Sequence, residues 1–464
     1  MTKTENTTET INKEEIKDTM TDEKPKVDED KLAALKARAQ AARDAEAAEK
    51  AAPAQDEEED MPPRIVEDRK KSLRFGVLGS GQGGSRLAEQ FYGMGYPSVV
   101  CNTAPQDLED IQVPEQNKLL LDFGLGGAGK DLSIGHEAAD AYRPAIIDLV
   151  HKRLDDAQAF IFCTSLGGGS GAGSVDVIVD ILAGIGKPVV VMAVLPKASE
   201  DAQLKHNAWQ TLSKLTKAFD EGKIDNIIVV DNAQIESLYS DVNPFSFFKV
   251  SNKAIVEPID IFNTLSRQKD EGIKVLDSTE FAKLFIDGKG FTVYGSMTVE
   301  DYEDEMAIAN AIVNSLKGNM LATGFDIRQA RYAGFMLVAP EKVWDQIPSS
   351  SLDFAQHMIS DACDSPLAIF HGIYRDNSGD DCIKVHSMFS GLGLPEDRIN
   401  QLKNEAKESM AKVGRKDEAR KLSMKVDVGD ETTNAVQDIK NKIKQKASKF
   451  GKLHAGAAQD RRKR

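Results

Sequence analysis

The 464-residue chain predicts an α/β fold: a parallel sheet covered on both faces, joined by a long helix to a smaller α+β unit. Three observations predict it. Strand-like apolar runs alternate with helix-like ones from Leu73 to about residue 245, as parallel strands require when each crossover is a helix. A glycine-packed loop, Cys163 to Ser174, is framed by an apolar strand run and the apolar helix run Val175 to Ile185. A shorter series of strand and helix patterns then follows a long helical stretch.

In order, the expected strands are Arg74–Gly79, Pro97–Cys101, Lys118–Phe123, Ala159–Thr164, Pro188–Leu195 and Asn226–Asp231. A helical pattern runs from Phe245 to Asp270. Pro258 interrupts it and is expected to kink it, having no N–H to donate. After Phe291–Gly295 the second unit shows strands Tyr332–Ala339, Ala368–Tyr374 and Cys382–Phe389, with helices Asp304–Leu316 and Ser351–Ala362. The expected boundaries are 1–72, 73–245, 246–289, 290–395 and 396–464.

Residues 1–72 are polar and acidic, with an Ala/Lys/Glu/Arg stretch from Lys31 to Ala52 and the run Asp56 to Asp60. Such a composition buries too little surface to order itself, and a disordered acidic extension is expected. Residues 396–464 read as a charged helical segment and a basic tail. From Lys440 onward ten Lys/Arg face the single acid Asp460, in a chain whose formal net charge is −15. That balance excludes a general nucleic-acid-binding body, while the tail reads as an electrostatic contact for DNA or an acidic protein partner.

Cys101, Cys163, Cys363 and Cys382 lack metal-ligand spacing, which fits a reducing compartment. No apolar run reaches the roughly 20 residues of a spanning helix, and the N-terminus has no apolar leader core. A cytoplasmic protein without a transmembrane segment is expected.

The chemistry lies in the glycines. Gly167-Gly168-Gly169-Ser170-Gly171-Ala172-Gly173 lets backbone N–H groups approach an anion, and the helix behind it adds a positive end. Gly79-Ser80-Gly81-Gln82-Gly83-Gly84 matches a dinucleotide fingerprint, but the second strand ends in Cys101-Asn102-Thr103 without the acid that would hold a ribose. Gly124 to Lys130 imitates a P-loop, but Asp131 stands where a hydroxyl must ligate Mg²⁺.

Taken as a set, Gly81-Gln82-Gly83-Gly84-Ser85, Val100-Cys101-Asn102-Thr103-Ala104, Gly127-Ala128-Gly129-Lys130 and the Gly167–Gly173 run resemble the nucleotide loops of the tubulin/FtsZ superfamily of GTPases. The last is similar to its GGGTGTG/S signature, with Ser170 and Ala172 where threonine or serine is usual. The resemblance covers Leu73 to about Leu394. It is nearer to CetZ-like or other divergent prokaryotic or viral tubulins than to division FtsZ, whose carboxy-terminal anchor peptide is not recognisable.

The resemblance implies a GTP-binding domain over 73–245, a core helix with a synergy loop over 246–289, and GTP with Mg²⁺ as ligands. Gly81, Gln82, Gly83, Gly84, Ser85 and Asn102 would serve the nucleotide, as would Gly168, Gly169, Ser170, Gly171 and Ala172. Ala128, Gly129 and Lys130 match the loop that senses the γ-phosphate. Glu200 matches the ribose-binding acid, while Leu204-Lys205 stand where an arginine is expected. Asn232 would read the base. Phe248 would stack on guanine while Asn252, four residues on and so on the same helix face, meets its N1/N2 edge.

Val275-Leu276-Asp277-Ser278-Thr279-Glu280 resembles the loop whose two acids enter the next subunit's site, with Val275 in place of the usual Asn. Its ordinary explanation is a helix N-cap at Asp277. Two function classes follow. One is a GTP-hydrolysing cytoskeletal filament, polymerising head to tail and acting in cell shape, division or DNA/virion positioning. The other is a nucleotide-binding structural or regulatory relative with weak or no hydrolysis.

Overall fold

The computed structural model describes residues 71–423 apart from 241, 269–271, 303, 305, 318 and 377–379. The expected acidic extension, up to residue 70, and the basic tail from Lys440 lie outside the described residues. Packing divides the chain after Lys403. Of the second unit only the continuation of one helix, as far as Ser423, is described.

Eleven described strands form one sheet: β1 Phe75–Ser80, β2 Ser98–Asn102, β3 Lys118–Leu120, β4 Ala159–Ser165, β5 Val189–Leu195, β6 Asn226–Asp231, β7 Gly272–Lys274, β8 Gly290–Val299, β9 Tyr332–Ala339, β10 Ala368–Arg375 and β11 Ile383–Leu392. Their order is β3-β2-β1-β4-β5-β6-β8-β11-β9-β10-β7. The first six are parallel, and β1, β4, β5 and β6 are near-continuous apolar runs because helices cover both faces. Strand order reverses between β1 and β4, so the crevice for a ligand opens beyond the carboxyl ends of those two strands.

Past β6 the sheet changes character. Two register pairs, Asn226↔Gly290 and Ile227↔Phe291, join β6 to β8. The Asn226 side chain reinforces the join, donating to Phe285 O at 2.8 Å and bonding Thr292 Oγ1 at 2.6 Å. Beyond it β8, β11 and β9 run antiparallel, and β10 lies parallel to β9.

The core helix spans Pro244–Leu265 as one element, continuing through Pro258. Ile255, Val256, Ile259 and Phe262, all fully buried, hold it on both sides of the proline, and that burial outweighs one missing backbone bond. Its far end is pinned to the segment leading into β1: Asn263 accepts from Leu73 N at 2.7 Å and donates to Leu73 O at 2.9 Å. Helix Ser278–Phe285 packs Phe281 against Phe262 and Phe75, which fixes the loop before it in the main core. The four cysteines are free and buried.

Candidate nucleotide-binding site

The loops after β1, β2, β4 and β6 meet around a cavity of about 410 Å³. The two main glycine segments are not open loops. Gly81 starts helix Gly81–Gly93, and Gly169–Gly173 is a short helix ahead of Val175–Gly184. Neither N-cap residue, Ser80 or Gly168, makes a side-chain capping bond, so the first-turn amides remain donors for a ligand.

Small residues let these segments touch backbone to backbone. Gly81 has φ +69°, and a Cβ there would lie 2.7 Å from Gly171 N. Hydroxyls tie the seam: Thr103 Oγ1 meets Ser170 Oγ at 2.6 Å, and Ser80 Oγ meets Ser174 Oγ at 2.7 Å. Asn207, buried on helix Ala202–Asp220, donates from Nδ2 to Lys130 O at 2.8 Å and to Gly167 O at 2.9 Å. It clamps the lysine-bearing loop to the glycine loop.

The structure brings Gly81, Gln82, Gly83, Ala128, Gly129, Lys130, Gly168, Gly169, Ser170, Gly171, Glu200, Asn232, Phe248 and Asn252 to this one cavity. Four expected ligand residues lie behind its wall. Gly84 packs against the Cys163 carbonyl, and Ser85 and Ala172 are buried inside their helices. Asn102 is also buried and acts through a neighbour: its Nδ2 donates to Asp107 at 3.1 Å, and Asp107, which does line the cavity, accepts from Gln82 Nε2 at 3.2 Å.

Lys130 has φ 67° and pairs with Asp201 at 2.5 Å, with both side chains half exposed. The lysine holds the Asp201 carboxyl below its usual range, and Asp201 also caps its helix by accepting from Leu204 N. Glu200 accepts from Lys197 N at 3.0 Å, while burial pushes its carboxyl above the ordinary range. Lys205, at the position of the expected arginine, is buried and donates to Ala198 O at 2.7 Å; Leu204 lines the cavity instead. Arg86 supplies a cation that the sequence reading missed. It lines the cavity with its guanidinium 5.0 Å from the Phe248 ring centre, and Lys197 Nζ stands 5.5 Å from the same ring.

Asp277 and Glu280 lie outside this cavity. They form a reciprocal cap on helix Ser278–Phe285: Asp277 accepts from Thr279 N at 2.7 Å and Glu280 N at 2.9 Å, and Glu280 accepts from Asp277 N at 3.0 Å. Tyr374 Oη accepts from Leu276 N at 3.1 Å and steadies the loop. Among the described residues no three His, Cys, Asp or Glu side chains converge on a metal position, and no helix is long and apolar enough to cross a membrane.

A parallel sheet with its crevice at the strand-order reversal, floored by glycine-rich helix starts and walled by an aromatic ring and amides, fits the class of nucleotide-binding α/β proteins. The sequence pattern of the Tubulin/FtsZ family GTPase domain matches residues 75–240. The chain is 22% identical over 375 residues to the tubulin-like protein TubZ of Bacillus cereus, covering 74% of this chain and 86% of that one. It is 24% identical over 363 residues to CetZ of Pyrococcus abyssi, covering 76% and 95%. In three dimensions it is similar to a GTPγS-form protofilament of Bacillus thuringiensis serovar israelensis TubZ, with TM-score 0.66, 19% identity, and 77% and 96% of the two chains covered. The GTPγS-bound protofilament of Haloferax volcanii CetZ2 gives TM-score 0.61 at 22% identity, with 74% and 100% covered. Residues 75–240 thus carry the GTPase-domain pattern of the tubulin/FtsZ family, and over most of its length the chain is similar to divergent tubulin-like proteins.

Proposed function

We propose that this chain binds GTP in the described cavity, polymerises head to tail, and hydrolyses the nucleotide with Asp277 and Glu280 of the adjoining subunit. The observation that carries the reading is the separation of parts. The cavity gathers the residues assigned here to phosphate, sugar and base, while the paired carboxylates sit on a steadied helix start elsewhere on the subunit. That structures of two relatives are protofilaments supports the polymerising part of the reading.

In this reading Phe248 stacks on the guanine, Asn232 and Asn252 meet its edge, and Glu200 accepts from the ribose hydroxyls. The glycine-segment amides and Lys130 hold the triphosphate. The donor set fits Mg²⁺ carried by the nucleotide, with Asp107 as the carboxylate at the cavity wall; when bound, the ion neutralises phosphate charge. Asp277 and Glu280 each keep a second carboxylate oxygen beyond the capping bonds, and these would orient water towards the γ-phosphoryl group. Catalysis is then mostly positioning.

The capping box favours a second reading as well, a nucleotide-binding structural protein with weak hydrolysis, because capping alone explains both acids. Glu280→Gln separates the two, since glutamine can still accept the Asp277 N–H. Trans catalysis predicts GTPase activity per molecule that rises with protein concentration, and a loss of about 10²-fold in Glu280→Gln with GTP binding and filaments retained. Specific activity that is constant on dilution, or a fully active variant, would leave the structural reading standing.

A further inference from the structure

A buried ion pair stands directly behind Asn232. Arg398, in the first turn of helix Glu396–Ser423, donates from Nε to Asp231 Oδ2 at 2.5 Å and from Nη2 to Oδ1 at 3.2 Å. The two side chains are 4% and 0% exposed. Asp231 ends β6 and is held from several sides: its carboxylate also accepts from Ala233 N at 3.0 Å, capping helix Asn232–Leu238, and its N–H donates to Met320 O at 2.9 Å. Asn232, the next residue, lines the cavity.

Desolvation offsets most of the attraction in a buried ion pair, so stability is a weak reason for one here. A two-point guanidinium–carboxylate fork does, however, fix the orientation of both groups, which a lysine or an apolar contact does not. We propose that Arg398 is a positioning residue for base recognition, setting the Asn232 amide against the purine edge through its fork on Asp231. The start of the C-terminal helix thereby belongs to the nucleotide site without touching nucleotide. This role rests on the reading of the cavity as a guanine-nucleotide site.

The test compares GTP and ATP as competitors of a fluorescent guanine nucleotide on the full chain. Arg398→Lys keeps Asp231 paired but removes the fork, and Arg398→Gln combined with Asp231→Asn removes the fork without leaving a buried unpaired charge. Each is expected to lower the preference for GTP over ATP by about fivefold to tenfold while ATP affinity holds. In an Asn232→Ala background Arg398→Lys is expected to cost nothing further, because the two changes remove one interaction. Undiminished preference in both fork variants, parallel losses for GTP and ATP, or losses that add in the double variant each overturn the role of Arg398. A wild-type protein without preference for GTP overturns the guanine reading and this role together.

Discussion

Gly135 looks unremarkable in the sequence, yet it sets how closely its helix approaches the Gly169–Gly173 turn. It lies in helix Leu132–Ala141, where a Cβ would stand 2.0 Å from the carbonyl oxygen of Gly169, against the 3.0 Å below which such contacts essentially never occur. Gly135→Ala must therefore part the two backbones by at least 1.0 Å, the difference between those distances. Helix propensity argues the other way and favours alanine by about 1 kcal/mol. Overpacking costs about 1–3 kcal/mol, and both colliding groups are backbone, which cannot swing aside as a side chain does. Sterics should win, because two colliding backbones place the cost in the upper half of that range: a net loss of about 1–2 kcal/mol in urea unfolding, with GTP affinity reduced at least ~10-fold as Gly169 moves. Gly184→Ala is the control, since nothing lies within 4 Å of its Cβ; it should gain about 0.5–1 kcal/mol and leave binding alone. If Gly135→Ala behaved like Gly184→Ala, the close backbone packing of the cradle would be refuted.

Asn207→Ala leaves the carbonyls of Lys130 and Gly167 without their shared donor, and should lose about 1–3 kcal/mol in urea unfolding along with GTP affinity; an unchanged urea midpoint and affinity would refute the clamp. Burial raises the Glu200 pKa in the free protein, whereas ribose hydroxyls donate to the ionised form, so GTP affinity should rise with pH through that raised value and binding should release protons. Calorimetry in buffers of different ionisation enthalpy reads this directly, and Glu200→Gln should abolish it. His371 and His386 titrate at about 4 instead of 6.5, chiefly through burial, with Lys274 and Lys384 adding repulsion. The unfolded chain takes up those protons first, so their stability contribution is complete above pH 6.5 and is lost as pH falls towards 4. His386→Gln should flatten the fall between those values in thermal unfolding; an unaltered slope would exclude His386 as a source.

Much of this fold was legible because buried parallel strands are written as uninterrupted apolar runs. β6 and β9 fall on their expected residues, and the other long strands differ by a few at the ends. β3 stops at Leu120, short of the expected Phe123, where pairing with β2 ends. β7 was not legible: three residues acquire strand geometry only by pairing with β10. Glycine suggested loops after β1 and β4, yet both segments are helical, because packing against neighbouring backbones outweighs weak propensity. The glycines lining the cavity were readable as a set, and Asp277 as a helix N-cap, whereas the reciprocal bond of Glu280 was not read. Arg86 and Asn207 were not, since their roles depend on neighbours far away in the chain. Asn207 did leave one trace, a polar side chain on the apolar face of an amphipathic helix.

The narrow join between β6 and β8 has a mechanical meaning. If subunits stack end to end, a pull along the stack passes from the six parallel strands to the later ones through two register pairs, the Asn226 amide, the core helix, the bridge of Val230 to Leu321 and the bonds that Asp231 makes to Met320 and Arg398. Most other strand joins share more register pairs, so this seam depends on side chains and the core helix more than the others do. A displacement at this seam would therefore reach the residue before Asn232 directly, because Arg398 and Met320 hold Asp231 from the far side.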